Sequence, residues 1–144
     1  MALAVGQCGP REIRVAGAER DIVRVWTDAM WEPPAPAGMG IVVSPGEGQR
    51  PVVGWAVVPD CVLQGLLPRK QHINQVEALA CCLVPFNFPD LLKGKDVLWF
   101  IDNTSALKGV IGGHSSIADS ARICSAFHLL MQKLDARVWG GTCG

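Results

Sequence analysis

The run Val97-Leu98-Trp99-Phe100-Ile101 constrains the fold of this chain more than any other segment. Five consecutive apolar residues do not alternate, as expected for a strand covered on both faces. An acidic residue, Asp102, ends the run abruptly.

Upstream, three stretches are rich in β-formers: Ile22 to Trp31, Gly38 to Val43 and Pro51 to Val58. Glu32-Pro33-Pro34-Ala35-Pro36 and Ser44-Pro45-Gly46-Glu47-Gly48 separate them, and Pro59-Asp60 closes the third. Such short connections suggest an antiparallel meander. The period then changes. Gln71 to Val84 sets Ile73, Val76, Ala80, Leu83 and Val84 on one helical stripe, stopped by Pro85 and Pro89. After the apolar strand, Asn103 is suited to cap a short helix through Val110, which Gly112-Gly113 ends. Ser115 or Ser116 caps a further helix, Ile117 to Leu134, with Ile123, Phe127, Leu130 and Leu134 as its apolar positions. Ala136 to Trp139 begins a last strand. The order β-β-β-α-β-α-α-β predicts an α/β fold: a mixed five-stranded sheet, three antiparallel strands and then parallel ones, with helices on both faces.

The length of 144 residues suits one core. Residues 1–20 have no period and read as a flexible lead-in; 21–144 form the domain. The net charge is zero, 13 basic against 13 acidic residues, which argues against broad electrostatic binding to a phosphate backbone. Nucleic-acid contact then needs a local patch or bridging metal ions. The cysteines at 8, 61, 81, 82, 124 and 143 contain no C-x-x-C pair and read as buried or incidental thiols in a reducing compartment. The first twenty residues lack an apolar leader core, and the longest apolar run, Ala78 to Phe86, is too short to span a bilayer. A soluble, intracellular protein with no membrane partner is expected.

Three carboxylates stand out. Asp28 lies within the first strand, Asp102 ends the most apolar one, and Glu77 sits at the edge of the stripe that faces the sheet. Burying a lone carboxylate costs several kcal/mol or more unless it is paired, hydrogen-bonded or metal-bound. Three that converge repel one another, and a divalent cation resolves the conflict. Oxygen ligands favour Mg²⁺ or Mn²⁺ over zinc. Two such ions roughly 3.5–4 Å apart activate water and stabilise a leaving oxygen in phosphodiester cleavage.

Thr27-Asp28-Ala29, Gln75-x-Glu77 and Phe100-Ile101-Asp102-Asn103-Thr104-Ser105-Ala106-Leu107 resemble the ribonuclease H-like superfamily over about residues 21 to 139. The resemblance is to divergent members associated with reverse transcriptases of retroelements. It implies two-metal hydrolysis of the RNA strand of an RNA–DNA hybrid, with Asp28 binding both ions and Glu77 and Asp102 each helping to hold one. It also implies a larger polyprotein context. Asn103 and Thr104 match motif positions near the substrate. Family members carry a fourth acidic residue after the last strand, whereas this chain closes in Gly140-Gly141-Thr142-Cys143-Gly144. A truncated C-terminus and one weakened ion site are expected. Asp119 and Asp135 precede the last strand and read as a first-turn helix residue and a turn residue.

Other features are weaker. Arg69-Lys70-Gln71-His72 is a candidate phosphate contact. His114 is a candidate loop residue assisting product release. Core packing accounts for most of Trp26, Trp31, Trp55, Trp99 and Trp139, with Trp31 the candidate for base stacking. The competing readings are an inactive module of the same fold that binds nucleic acid or a protein partner, and a 3′–5′ exonuclease-like domain. The latter prefers D-x-E on its first strand, which Asp28-Ala29-Met30 lacks.

Overall fold

In the computed structural model, which describes residues 20–68, 72–112, 115 and 117–141, strand β1 (Ile22–Met30) is the centre of a five-stranded sheet. It is followed by β2 (Gly38–Ser44), β3 (Val52–Val57), the short helix α1 (Asp60–Gln64), α2 (Ile73–Asn87), α3 (Pro89–Leu92), β4 (Asp96–Ile101), α4 (Thr104–Gly112), α5 (Ala118–Lys133) and β5 (Arg137–Gly141). The spatial order is β3-β2-β1-β4-β5. β1 pairs antiparallel with β2 and β2 with β3, whereas β4 runs parallel to β1 and β5 parallel to β4. This is the mixed topology expected from the element order.

Alternation along β1 decides which face is the core. Val23, Val25 and Thr27 are buried, while Ile22, Arg24, Asp28 and Met30 are exposed. Val97, Trp99 and Ile101 of β4 and Ile41 and Val43 of β2 join the same buried layer. Helices cover it. Trp99 meets Phe127 of α5 edge to face at 5.0 Å and donates its indole N–H to Thr27 Oγ1 at 3.1 Å. Thr27 in turn lies 3.5 Å from Cys81 Sγ of α2. β5 runs so close under α4 that a Cβ on Gly140 would stand 2.6 Å from Ile111 Cγ1.

Three expectations need correction. The described helices lie on one face of the sheet, not on both. The opposite face leaves Val53, Trp55, Val57 and Trp139 exposed. The misleading signal was the unbroken run in β4. Leu98 and Phe100 point to the open face and are half-buried without helical cover, Phe100 by stacking on Trp26 at 5.2 Å. Second, Pro85 does not stop α2, which continues to Asn87. Pro85 is buried with the helix's core face, and the next turn closes through Phe88 N–H to Val84 O at 2.8 Å, so packing outweighs the lost bond at Pro85. Pro89 instead opens α3. Third, the expected order β-β-β-α-β-α-α-β lacks the short helices α1 and α3, which are too brief to show a period.

Asn103 caps α4 as expected, its Oδ1 accepting the Ala106 N–H at 3.0 Å. Ser115 Oγ accepts the Ile117 N–H ahead of α5, which buries Cys124 and Met131 as well as Phe127. No described helix is long and apolar enough to cross a membrane. Residues 1–19, Arg69-Lys70-Gln71, Gly113, His114, Ser116 and the last three residues lie outside the described residues.

Candidate active site

The parallel pairing of β1 with β4 ends at Thr27 and Ile101. Asp28 and Asp102 are each the next residue, so both stand just past the end of the parallel pairing, toward the carboxyl ends of the two strands, where α/β sheets open a crevice. Both are exposed. Glu77 comes from α2 within the buried stretch Gln75–Ala78 and is only 4% exposed.

The environments of these carboxylates differ sharply. Glu77 is raised from 4.5 to about 7, chiefly by burial and then by the charge of Asp28, with Asp102 adding to it; the Ala29 amide opposes the shift. Ionising it costs roughly 3 kcal/mol more than in water. Its Oε2 is buried and has no hydrogen-bond partner. Asp28 is better served: its Oδ1 accepts the Ala29 N–H at 3.0 Å. The three sequence-predicted carboxylates therefore share one electrostatic field. Among the described residues, however, no three His, Cys, Asp or Glu side chains stand close enough to hold a metal ion as they are placed. The donor set is all oxygen, anionic and includes an orphaned buried oxygen, which fits a hard divalent cation.

A further link escapes sequence reasoning. Asn103 Nδ2 donates to Asn74 Oδ1 at 2.6 Å while the same side chain caps α4. Asn74 lies one helical turn before Glu77, so this bond ties the end of β4, with Asp102, to the start of the Glu77 helix. The capping signal at Asn103 was readable; its partner 29 residues away was not.

The remaining candidates sit elsewhere. Asp119 accepts the Leu67 N–H at 3.0 Å and the Ser120 N–H at 2.9 Å. Asp135 occupies a left-handed turn at φ 51° and pairs with Arg20 at 3.5 Å. Neither contributes to the field on Glu77. Trp31 is half-buried, packs on the cluster of Ala37, Met39, Val58, Val76 and Ala80, and lies 5.2 Å from the His72 ring. Core packing holds for Trp99 but not for Trp55 or Trp139, both exposed. Cys61, Cys81, Cys82 and Cys124 are free thiols, and burial pushes Cys82 up to about 12, far from the reactive range.

No family model matches the sequence, and no curated protein matches it. Solved structures do match its shape. Ribonuclease H1 from the halophilic archaeon Halobacterium salinarum superimposes with a TM-score of 0.65 at 18% identity, covering 85% of this chain and 86% of that one. The N-terminal ribonuclease H domain of a Mycobacterium tuberculosis protein gives 0.63 at 14% identity, over 84% and 81%. LC11-RNase H1 in complex with an RNA/DNA hybrid gives 0.54 at 11% identity, over 83% of each chain. The sheet order and these superpositions establish a ribonuclease H-like fold.

Proposed function

We propose that this chain, with its ribonuclease H-like fold, is a nucleic-acid-acting domain that hydrolyses the RNA strand of an RNA–DNA hybrid, using Asp28, Glu77 and Asp102 as its catalytic, metal-holding carboxylates. Glu77 carries the reading: a buried carboxylate with an unpartnered oxygen, raised to about 7 beside two further carboxylates. Such a cluster is unfavourable by itself and favourable around a cation. Asp28 would hold both ions, and Glu77 and Asp102 would each help hold one. When bound, two Mg²⁺ or Mn²⁺ ions supply the positive charge that activates water and stabilises the leaving oxygen. The Asn103–Asn74 bond keeps the elements of Asp102 and Glu77 in fixed relation. The hybrid held by LC11-RNase H1 supports the choice of substrate. Association with a reverse transcriptase or polyprotein rests on the Phe100–Leu107 motif.

One observation favours a second reading, hybrid binding without cleavage. Asp119 and Asp135 are engaged elsewhere, so among the described residues no carboxylate other than Asp28 and Asp102 acts on Glu77. A cleavage assay on a labelled RNA–DNA hybrid with Mg²⁺ or Mn²⁺ separates the two. Asp28→Asn and Asp102→Asn each abolish cutting on the first reading, and activity surviving both overturns the site. A wild type that retards the hybrid in a gel but never cuts it supports the second.

A further inference from the structure

The open face of the sheet carries a notch beside the carboxylates. Asp28 of β1 pairs with Gly40 of β2, and Gly40 pairs with Trp55 of β3. Residues directly opposite one another share a face, so these three form one row across three strands. The middle of the row has no side chain, and a Cβ built on Gly40 would meet nothing within 4 Å. In the next row, Met30 leans over Gly38, its Cγ 3.5 Å from where a Gly38 Cβ would stand, and closes that end. Val42, half-buried, bounds the other. Asp28 turns its carboxylate to the Ala29 amide, which leaves the space over Gly40 open. Trp55 is 82% exposed, and no ring contact among the described residues involves it. Strand spacing sets Asp28 and Trp55 about 10 Å apart in the sheet plane, room for one flat ring against the indole.

A single exposed apolar residue needs no explanation. An exposed indole facing a side-chain-free notch, in the row of an acidic site, is more particular. We propose that this notch takes an unpaired base of the nucleic-acid strand bound at the carboxylates, stacked on Trp55 over Gly40. The inference rests on the nucleic-acid reading of Asp28. Continuity names the occupant: the notch runs along the row to Asp28, so it lies beside the path of the strand handled there. Three of its walls, Trp55, Met30 and Val42, are uncharged, and the fourth is the Asp28 carboxylate, which repels a phosphate, so the notch suits the face of a base. Stacking on an aromatic ring is tolerant of sequence because every base has a π-face. A base paired and stacked within a duplex offers no free face, so the notch favours substrates with an unpaired nucleotide next to the duplex, as a tail, a gap or a splayed end.

The test compares two labelled RNA–DNA hybrids, one blunt and one with an unpaired RNA tail, by fluorescence anisotropy with Ca²⁺ in place of Mg²⁺, so that the carboxylates are neutralised while cleavage is suppressed. The wild type binds the tailed hybrid about tenfold tighter. Trp55→Ala and Gly40→Val each erase that preference, the second by filling the notch at a position where an added side chain meets open space. Trp55→Phe retains most of it. A preference that survives both Trp55→Ala and Gly40→Val overturns the notch, as does equal binding of the two hybrids by the wild type. Conversion of a dimer to a monomer by Trp55→Ala, with the hybrid preference unchanged, makes β3 a protein interface instead. If the wild type binds neither hybrid, the nucleic-acid reading falls and the notch with it; if it binds both alike, only the notch falls.

Discussion

The two faces of this sheet are built from the same strands and serve opposite ends. On the helix-covered face, Val23, Val25, Val97 and Trp99 are fully buried, and Thr27 is held between Trp99 and Cys81. On the open face, Trp55 is 82% and Val53 73% exposed, and the backbone row at Gly40 has no side chain above it. Stability resides on the first face, where removed atoms leave cavities. Recognition is available on the second, where side chains are free to change partners. The carboxylates stand at the border: Asp28 has the parity of the open face, whereas Glu77 is delivered by a helix of the covered one.

The largest expected effect tests the covered face. Phe127→Ala removes the ring that packs on Trp99 and should destabilise by ~3–5 kcal/mol in urea unfolding, whereas Val53→Thr on the open face should stay within about 0.5 kcal/mol. Equal losses at the two positions would erase the distinction between the faces. Next comes Glu77, the one buried charged residue among those described. Its folded value of about 7 lies above the unfolded 4.5, so its contribution is fully present below pH 4.5 and is lost as pH rises through 7. In metal-free protein, Glu77→Gln should therefore stabilise by roughly 2–3 kcal/mol at pH 8 and by little at pH 4.5. Thermal melts at the two pH values decide, and a destabilised variant at pH 8 would contradict the raised value. The smallest effect concerns the tie across the border: Asn103→Ala loses the α4 cap and the Asn74 bond, about 1 kcal/mol by denaturation.

The three β-rich stretches with their short connections and the switch to helical period outlined the mixed sheet in advance, and Asp28 and Asp102 were legible as carboxylates within one strand and at the end of the most apolar one. The open face was not legible. Leu98 and Phe100 read as doubly covered, yet Phe100 is sheltered by the ring of Trp26, its partner on β1, rather than by a helix. Pro85 read as a stop because a local rule cannot weigh the packing of α2. Trp55 read as core because pattern alone does not say which edge of the sheet a strand occupies; only the pairing of β3 outside β2 exposes it. The Asn103–Asn74 bond depended on a register between elements that no spacing encodes.

The central claim is that Asp28, Glu77 and Asp102 together form a divalent cation site. Isothermal titration of Mn²⁺ into the wild type and into Asp28→Asn, Glu77→Gln and Asp102→Asn at neutral pH tests it most directly. The account predicts binding to the wild type that is lost in Asp28→Asn and weakened at least tenfold in the other two. An absence of wild-type binding, or one affinity shared by all four proteins, would contradict it.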